Sequence, residues 1–85
     1  MASYSLFLKP SSVKELQALP FAQRRRVVTR IRGLAAEPRP HGSEKLSGEE
    51  KYRVRQGTYR VLNTIDDTKH EVVVVKIAHR RAVYR

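Results

Sequence analysis

Apolar and polar residues alternate with a period of two near both ends of this chain, and between them apolar residues recur at helical spacing. Residues 3–9 place Tyr4, Leu6 and Leu8 on one side, which predicts a strand with at least one packed face. Pro10 is expected to end this strand. After Pro10 the pattern changes from the strand period to the helical period.

Two consecutive helices are predicted in the first half of the chain. The first is short, with Ser11 or Ser12 as its N-cap and Pro20 at its end, and its apolar residues are Val13, Leu16 and Leu19. The second covers residues 21–36, and its apolar stripe consists of Val27, Val28, Ile31, Leu34 and Ala35. Two helices joined at a proline predict an antiparallel helical hairpin that lies across one side of a sheet.

The second half of the chain predicts a loop and then three strands. Residues 37–48 contain two prolines and two glycines, which is typical of a connecting loop. The three strands are expected over residues 49–54, 58–65 and 71–78. The sequence therefore predicts an α+β fold over residues 1–85 as one domain. Its N-terminal strand, helical hairpin and three-stranded antiparallel meander form one mainly antiparallel sheet, mixed only at one edge.

The last predicted strand has two possible orientations, and the cost of burying a lysine decides between them. In the preferred one, three residues face inward: Val73, Val75 and Ile77. The opposite side then carries Lys76, Ala78 and Arg80. The other orientation would bury Lys76 without a partner, which is costly.

The hairpin between the first two of these strands concentrates arginines on one face. A two-residue turn at Gln56 and Gly57 would set Arg53 directly opposite Arg60, and Arg55 opposite Thr58. Like charges that oppose each other in a sheet are destabilising by roughly 0.2 to 1 kcal/mol per pair. We interpret this face as a binding site for an anion.

The charge balance indicates the kind of partner. The 85 residues include 18 Lys and Arg against 8 Asp and Glu, a formal net charge of +10. This positive charge predicts a polyanionic partner. Nucleic acid is the first candidate, an acidic protein the second and an anionic membrane surface the third. No apolar run reaches the roughly 18 to 20 residues that a membrane span needs, and residues 1–8 lack the pattern of a signal peptide. We therefore expect a cytoplasmic protein.

Metal and redox chemistry are not expected. The chain contains no cysteine, which excludes a disulfide framework and thiolate metal sites. Its three histidines, His41, His70 and His79, do not have metal-ligand spacing. We expect neither a metal nor a small-molecule cofactor.

In order and spacing, several short segments together resemble the RelE/ParE superfamily of bacterial toxin components. These segments are Tyr4, Phe7, Leu19, Pro20, Arg24, Leu34, Pro38-Arg39-Pro40, Lys45-Leu46-Ser47-Gly48, Tyr52-Arg53-Val54-Arg55, Gly57-Thr58-Tyr59-Arg60-Val61 and His79-Arg80-Arg81-Ala82-Val83-Tyr84-Arg85. The resemblance covers nearly the whole chain and is strongest to the RelE-like ribosome-dependent messenger RNA endonucleases. It implies a toxin of a type II toxin-antitoxin system that cleaves messenger RNA in the ribosomal A site.

The resemblance also implies roles for individual residues. The family's catalytic positions correspond to Arg53, Arg55, Arg60, Arg80 and Tyr84, where Arg53 and Arg55 replace the lysines of well-studied RelE proteins. The implied reaction is attack of a ribose 2′-hydroxyl on the adjacent phosphorus, with Arg60 and Arg80 stabilising the developing charge. The proton acceptor stays open. Arg55 occupies the family's base position but stays protonated, His79 is the nearest titratable side chain, and the ribosome could instead preset the geometry.

Further basic residues are candidate RNA contacts: Arg24, Arg25, Arg30, Lys76, His79 and Arg81. The helical arginines among them could equally form a solvated face or contact an acidic antitoxin. The resemblance implies a cognate antitoxin, the ribosome and messenger RNA as partners, with a hetero-oligomer formed by toxin and antitoxin and no membrane contact. Two alternatives remain, a ParE-like inhibitor of DNA gyrase and a non-catalytic RNA-binding module.

Overall fold

The computed structural model describes residues 3–48 and 50–82, which form two helices and five strands. In chain order these elements are β1 (Ser5–Leu8), α1 (Pro10–Gln17), α2 (Phe21–Gly33), β2 (Glu44–Lys45), β3 (Tyr52–Gln56), β4 (Tyr59–Asp66) and β5 (Glu71–His79). The strands make one sheet in the order β1-β5-β4-β3-β2. β1 runs parallel to β5, and the other neighbours are antiparallel. The predicted α+β fold, with a sheet mixed only at one edge, is confirmed.

The start of α1 differs from the predicted one. Pro10 is the first residue of the helix and Lys9 precedes it as the N-cap, so neither Ser11 nor Ser12 caps the helix. A proline is well suited to this position, because the first helical N–H has no partner inside the helix. Ser12 is instead fully buried, and its hydroxyl donates to the carbonyl oxygen of Val74 at 3.1 Å. This hydrogen bond fixes α1 to β5.

Both helices pack on the same side of the sheet and enclose the core there. One cluster joins α2 to β4 and β5 and consists of Val27, Ile31, Val61, Val74 and Ile77. A second cluster, at the other end of α2, consists of Leu34, Val54 and Val72. The buried residues of α2 belong to the predicted apolar stripe. The helix ends at Gly33, before the predicted end at residue 36.

A β-bulge changes the orientation of residues along β5. Leu62 pairs with Lys76, but its neighbour Asn63 pairs with Val74, so Val75 is an extra residue on β5. The inward residues of β5 are consequently Val72, Val74 and Ile77. The prediction that Val73 and Val75 face inward was therefore wrong, because a bulge shifts the alternation by one position. For the residues after the bulge the prediction was right, because Ile77 faces inward and Lys76 faces the opposite side.

The register of the β3–β4 hairpin is shifted from the predicted one. Gln56 pairs with Tyr59, which makes Gly57 and Thr58 the turn residues. Gly57 has φ of +59°, a conformation that glycine adopts without the steric cost of a side chain. The turn predicted at Gln56 and Gly57 was thus one residue too early. Each strand keeps the predicted residues on each face, because the shift changes the pairing by an even number of positions.

The far end of the sheet from this hairpin turn is closed by a polar cluster. Arg39, in the loop before β2, donates to both carboxylate oxygens of Asp67 at 3.1 and 2.9 Å. The Tyr4 hydroxyl donates to the same carboxylate at 2.7 Å, and Arg39 Nε donates to the Tyr52 hydroxyl at 3.1 Å. The hydrogen bonds from Arg39 and then from Tyr4 lower the pKa of Asp67 from 3.8 to about 2. The cluster therefore joins β1, the loop before β2, β3 and the β4–β5 turn.

We expect this cluster to make stability depend on acid pH. The pKa of Asp67 is lower in the folded protein than in the unfolded chain, so its contribution is present above about pH 4 and is lost as pH falls towards 2. In thermal melts, Asp67→Asn should lower the melting temperature near neutral pH. The difference from the unmodified chain should shrink between about pH 4 and pH 2. Glu37→Gln, an exposed carboxylate near Arg39, is the control, and an equal pH-dependent loss for both variants would contradict the assignment.

Candidate phosphate-binding face

The side of the sheet opposite the helices carries the arginines of the central hairpin. Because Val54, Val61 and Ile77 face the helices, their strand neighbours face away. We call this surface the arginine face and define it by Arg53, Arg55, Arg60, Leu62, Lys76 and Ala78. Arg55 lies opposite Arg60 and Arg60 opposite Ala78. In the next row, Arg53 lies opposite Leu62 and Leu62 opposite Lys76.

The directly opposed like charges are therefore Arg55 and Arg60. The prediction that Arg53 lies opposite Arg60 was wrong, because Arg53 lies opposite Leu62. Arg55 is exposed, whereas Arg60 is half-buried and donates from Nη1 to the carbonyl oxygens of Gly57 at 3.2 Å and Tyr59 at 3.0 Å. These hydrogen bonds hold the Arg60 guanidinium at the hairpin turn. An anion between Arg55 and Arg60 would relieve their mutual repulsion.

Arg53 is held by a carboxylate that the sequence pattern did not identify. Its Nη2 forms an ion pair with Glu44 Oε2 across the short β2–β3 ladder. The Arg53 side chain is 15% exposed and that of Glu44 is 60% exposed, so the carboxylate remains open to solvent. Glu44 was missed because residues 37–48 were predicted to be a loop. The Ser47-Gly48 pair, with Gly48 at φ of +74°, was the available signal for a β2–β3 hairpin.

The end of β5 lies beside the β3–β4 hairpin turn. Arg80 follows β5, and its backbone N–H donates to the Thr58 carbonyl oxygen at 2.7 Å, which brings the Arg80 backbone to the β3–β4 turn. His79 pairs with Tyr59 on the helix side, and their rings meet edge to face at 5.9 Å. Its Nδ1 accepts from the Arg81 backbone N–H at 3.3 Å. The structure thus separates His79 from the arginine face. Tyr84 lies outside the described residues.

The remaining predicted RNA contacts belong to a second surface. Arg24, Arg25 and Arg30 lie on α2, which packs against the opposite side of the sheet from the arginine face. The Arg24 and Arg25 guanidinium groups lie 5.7 and 5.8 Å from the centre of the Phe21 ring. Arg30 donates to the His41 carbonyl oxygen at 3.2 Å. The predicted RNA contacts on α2 therefore lie on a different surface from Lys76, which is on the arginine face.

Two further structural properties concern ligands and membranes. Across residues 3–48 and 50–82, no group of three or more His, Cys, Asp or Glu side chains is placed to hold a metal ion. In the same part of the chain, neither helix has the length and apolar character needed to cross a membrane.

Comparison with known proteins places the chain in a family. The model of the family described as ParE toxin of type II toxin-antitoxin system, parDE, matches residues 6–84. The chain therefore belongs to this family, within the RelE/ParE superfamily, and it is a toxin of a type II toxin-antitoxin system. The resemblance noted in the sequence is thereby confirmed.

Solved structures of RelE toxins are similar over nearly the whole chain. The toxin-antitoxin complex RelBE2 from Mycobacterium tuberculosis matches with a TM-score of 0.82 and 29% identity, covering 93% of this chain and 100% of that one. The archaeal RelE-RelB complex from Pyrococcus horikoshii matches with a TM-score of 0.80 and 28% identity, covering 95% of this chain and 99% of that one. The intact E. coli RelBE complex matches with a TM-score of 0.78 and 22% identity, covering 92% of this chain and 96% of that one. This similarity supports the fold. No curated protein matches by sequence.

Proposed function

We propose that this toxin is a ribosome-dependent endoribonuclease that cleaves messenger RNA in the ribosomal A site. The observation that carries the proposal is the direct opposition of Arg55 and Arg60, with Arg53 and Lys76 on the same face. Guanidinium groups in this arrangement suit bidentate contacts to a phosphodiester. The RelE toxins in the similar structures support an endoribonuclease, and such an enzyme would act in the cytoplasm, where ribosomes translate.

The proposed chemistry is an internal transfer at phosphorus. The ribose 2′-oxygen forms a bond to the adjacent phosphorus while the bond to the 5′-oxygen breaks, leaving a cyclic phosphate and a free 5′-hydroxyl. One proton leaves the 2′-hydroxyl and one reaches the departing 5′-oxygen. The pentacoordinate transition state carries added negative charge, which Arg60 and Arg80 would stabilise. Arg60 is already held by the turn carbonyls, so little reorganisation of its side chain is needed.

Glu44 is the strongest candidate for the proton acceptor. Arginine stays protonated at physiological pH, which argues against Arg55. His79 pairs with Tyr59 on the helix side of the sheet, away from the arginine face. Glu44 borders that face through its ion pair with Arg53, and its carboxylate is open to solvent. A carboxylate within reach of the 2′-hydroxyl could accept its proton directly or through one water.

Removing the Arg60 guanidinium tests the site. Arg60→Ala should reduce messenger RNA cleavage in a translating extract by about 100-fold to 1,000-fold, the usual effect of deleting one donor to a developing charge. Arg60→Lys should retain an intermediate activity, because lysine keeps the charge but loses the bidentate geometry. Primer extension on the recovered messenger measures both variants. Cleavage by Arg60→Ala at the unmodified rate would contradict the proposal.

A paired substitution distinguishes the two titratable candidates for the base. Glu44→Gln should slow cleavage by about 100-fold or more, whereas His79→Gln should leave the cleavage rate nearly unchanged. Single-turnover cleavage in ribosome complexes measures the difference. The reverse result would transfer the role to His79. Unchanged cleavage by both variants would mean that neither side chain accepts the proton.

An antitoxin is the expected protein partner. The matched structures from M. tuberculosis, P. horikoshii and E. coli are toxin-antitoxin complexes. The whole chain has a formal net charge of +10, so acidic side chains of a cognate antitoxin would contribute to binding. The complex should then weaken as ionic strength rises.

Inhibition of DNA gyrase is the second candidate function, because the matched family model is that of ParE toxins. Two assays on the same purified chain separate the candidates. Endoribonuclease function predicts cuts within codons in a translating extract, with gyrase supercoiling unaffected. Loss of supercoiling with intact messenger would favour the ParE-like function. RNA affinity without any growth effect on expression would indicate a non-catalytic RNA-binding module.

A further inference from the structure

A basic groove of about 560 Å³ runs along the exposed side of α2. Its lining includes Phe21, Arg25, Arg26, Arg30 and, from the end of β3, Gln56. None of the described residues that line it carries a carboxylate, so three guanidinium groups set its charge. Such a groove attracts a polyanion.

The placement of arginines in this groove has an energetic cost to the helix. Arg26 and Arg30, which both line the groove, lie four positions apart on α2. Like charges at this spacing destabilise a helix. Arg30 is held at the other end of the groove by its bond to the His41 carbonyl oxygen. A bound anion would offset the repulsion among these side chains.

Phe21 gives the groove a stacking surface. Its ring is 65% exposed, and the Arg24 and Arg25 guanidinium groups lie within 6 Å of its centre, at 5.7 and 5.8 Å. Exposed aromatic rings beside arginines are typical of single-stranded RNA binding, where bases stack on the ring and phosphates contact the cations. From Phe21 to Arg30 the helix rises about 14 Å, enough for about four stacked nucleotides.

A helical protein segment fits this groove less well than RNA. Peptide helices dock through apolar anchors in a hydrophobic groove. Among the described residues lining this groove, none is Leu, Ile, Val or Met, and its centre is formed by arginines. The interior of a protein interface is instead depleted of charge. The observations therefore favour a nucleic acid strand.

The groove is continuous with the arginine face through the tip of the β3–β4 hairpin. Gln56, which lines the groove, follows Arg55 in the chain and pairs with Tyr59, the neighbour of Arg60. We infer that the messenger strand whose scissile phosphate lies on the arginine face continues past Gln56 into the α2 groove. There its phosphates would contact Arg25, Arg26 and Arg30, and a base would stack on Phe21. This inference rests on the proposed function for the identity of the strand.

The strand path predicts that groove variants discriminate between RNA lengths. Fluorescence anisotropy with the purified chain would compare single-stranded RNAs of about three and about twelve nucleotides, of which only the longer can fill both surfaces. Phe21→Ala should weaken binding of the longer RNA at least about fivefold. Arg26→Gln should lower the slope of log K against log salt by about 0.7 for the same RNA. Both variants should weaken binding of the longer RNA more than binding of the shorter RNA, which cannot fill both surfaces.

Matched variants separate this inference from the proposed site. Arg32→Gln removes an exposed arginine of α2 that does not line the groove, so it should bind both RNAs like the unmodified chain. Arg60→Ala should weaken both RNAs. If Arg60→Ala does so while the groove variants bind both lengths normally, the strand path is wrong and the arginine face stands. If only the groove variants weaken binding, the groove stands and the arginine face fails.

A peptide competitor tests the alternative occupant. An acidic helical peptide should bind the unmodified chain and Phe21→Ala with similar affinity, because the groove offers few apolar anchors. If the groove variants lose the peptide but retain the longer RNA, the surface docks an acidic protein and the inference is overturned.

Discussion

The fold depends on the packing of two helices against one side of a single sheet. Val27 and Ile31 of α2 contact Val61, Val74 and Ile77, and this cluster holds much of the buried apolar surface. A chain of 85 residues can bury only a limited core, so the opposite side of the sheet is left without a covering layer of helices. That side can carry long charged side chains, whose charges need not be buried. The arginine face is therefore a consequence of having one layer of helices.

The β-bulge between Leu62 and Asn63 lets β5 direct apolar residues into the core and still place Lys76 on the arginine face. With Val72 and Val74 directed into the core, strict alternation would direct Lys76 there as well. The extra residue Val75 reverses the alternation, so that Ile77 enters the core and Lys76 joins Arg53 and Leu62 in one row. An isolated lysine in the core would be costly. The bulge thus lets a continuous apolar run end in a cationic surface.

Local patterns were sufficient to predict most of the elements. Period-two alternation identified β1 and β4, and helical spacing identified α2, because these signals come from neighbours in the chain. The bulge and the turn at Gly57 and Thr58 were not predictable in this way, since both depend on which residues pair across strands. β2 is two residues long and shows no periodicity, so its Glu44 could not be recognised as a neighbour of Arg53.

The same limit of local sequence patterns explains which parts of the candidate site could be predicted. Arg53, Arg55 and Arg60 were correctly grouped because each face of a strand is set by alternation and survives a two-residue change in pairing. His79 pairs with Tyr59 on the helix side, although its position in the sequence had made it a candidate for the base and for an RNA contact. The division of basic residues between α2 and the sheet needed the tertiary structure, because composition reports total charge and not its location.

The parallel pairing of β1 with β5 has a consequence for the order of folding. Ser5 pairs with Glu71, and the hydrogen bond from Tyr4 to Asp67 joins residues 63 positions apart. During synthesis β1 emerges before both helices, whereas its partner strand β5 emerges after the other described strands. Contacts of such long sequence separation form late, after the costly closure of a long loop. β5 also contributes Lys76 to the arginine face, so a nascent toxin cannot assemble that face until β5 has been synthesised.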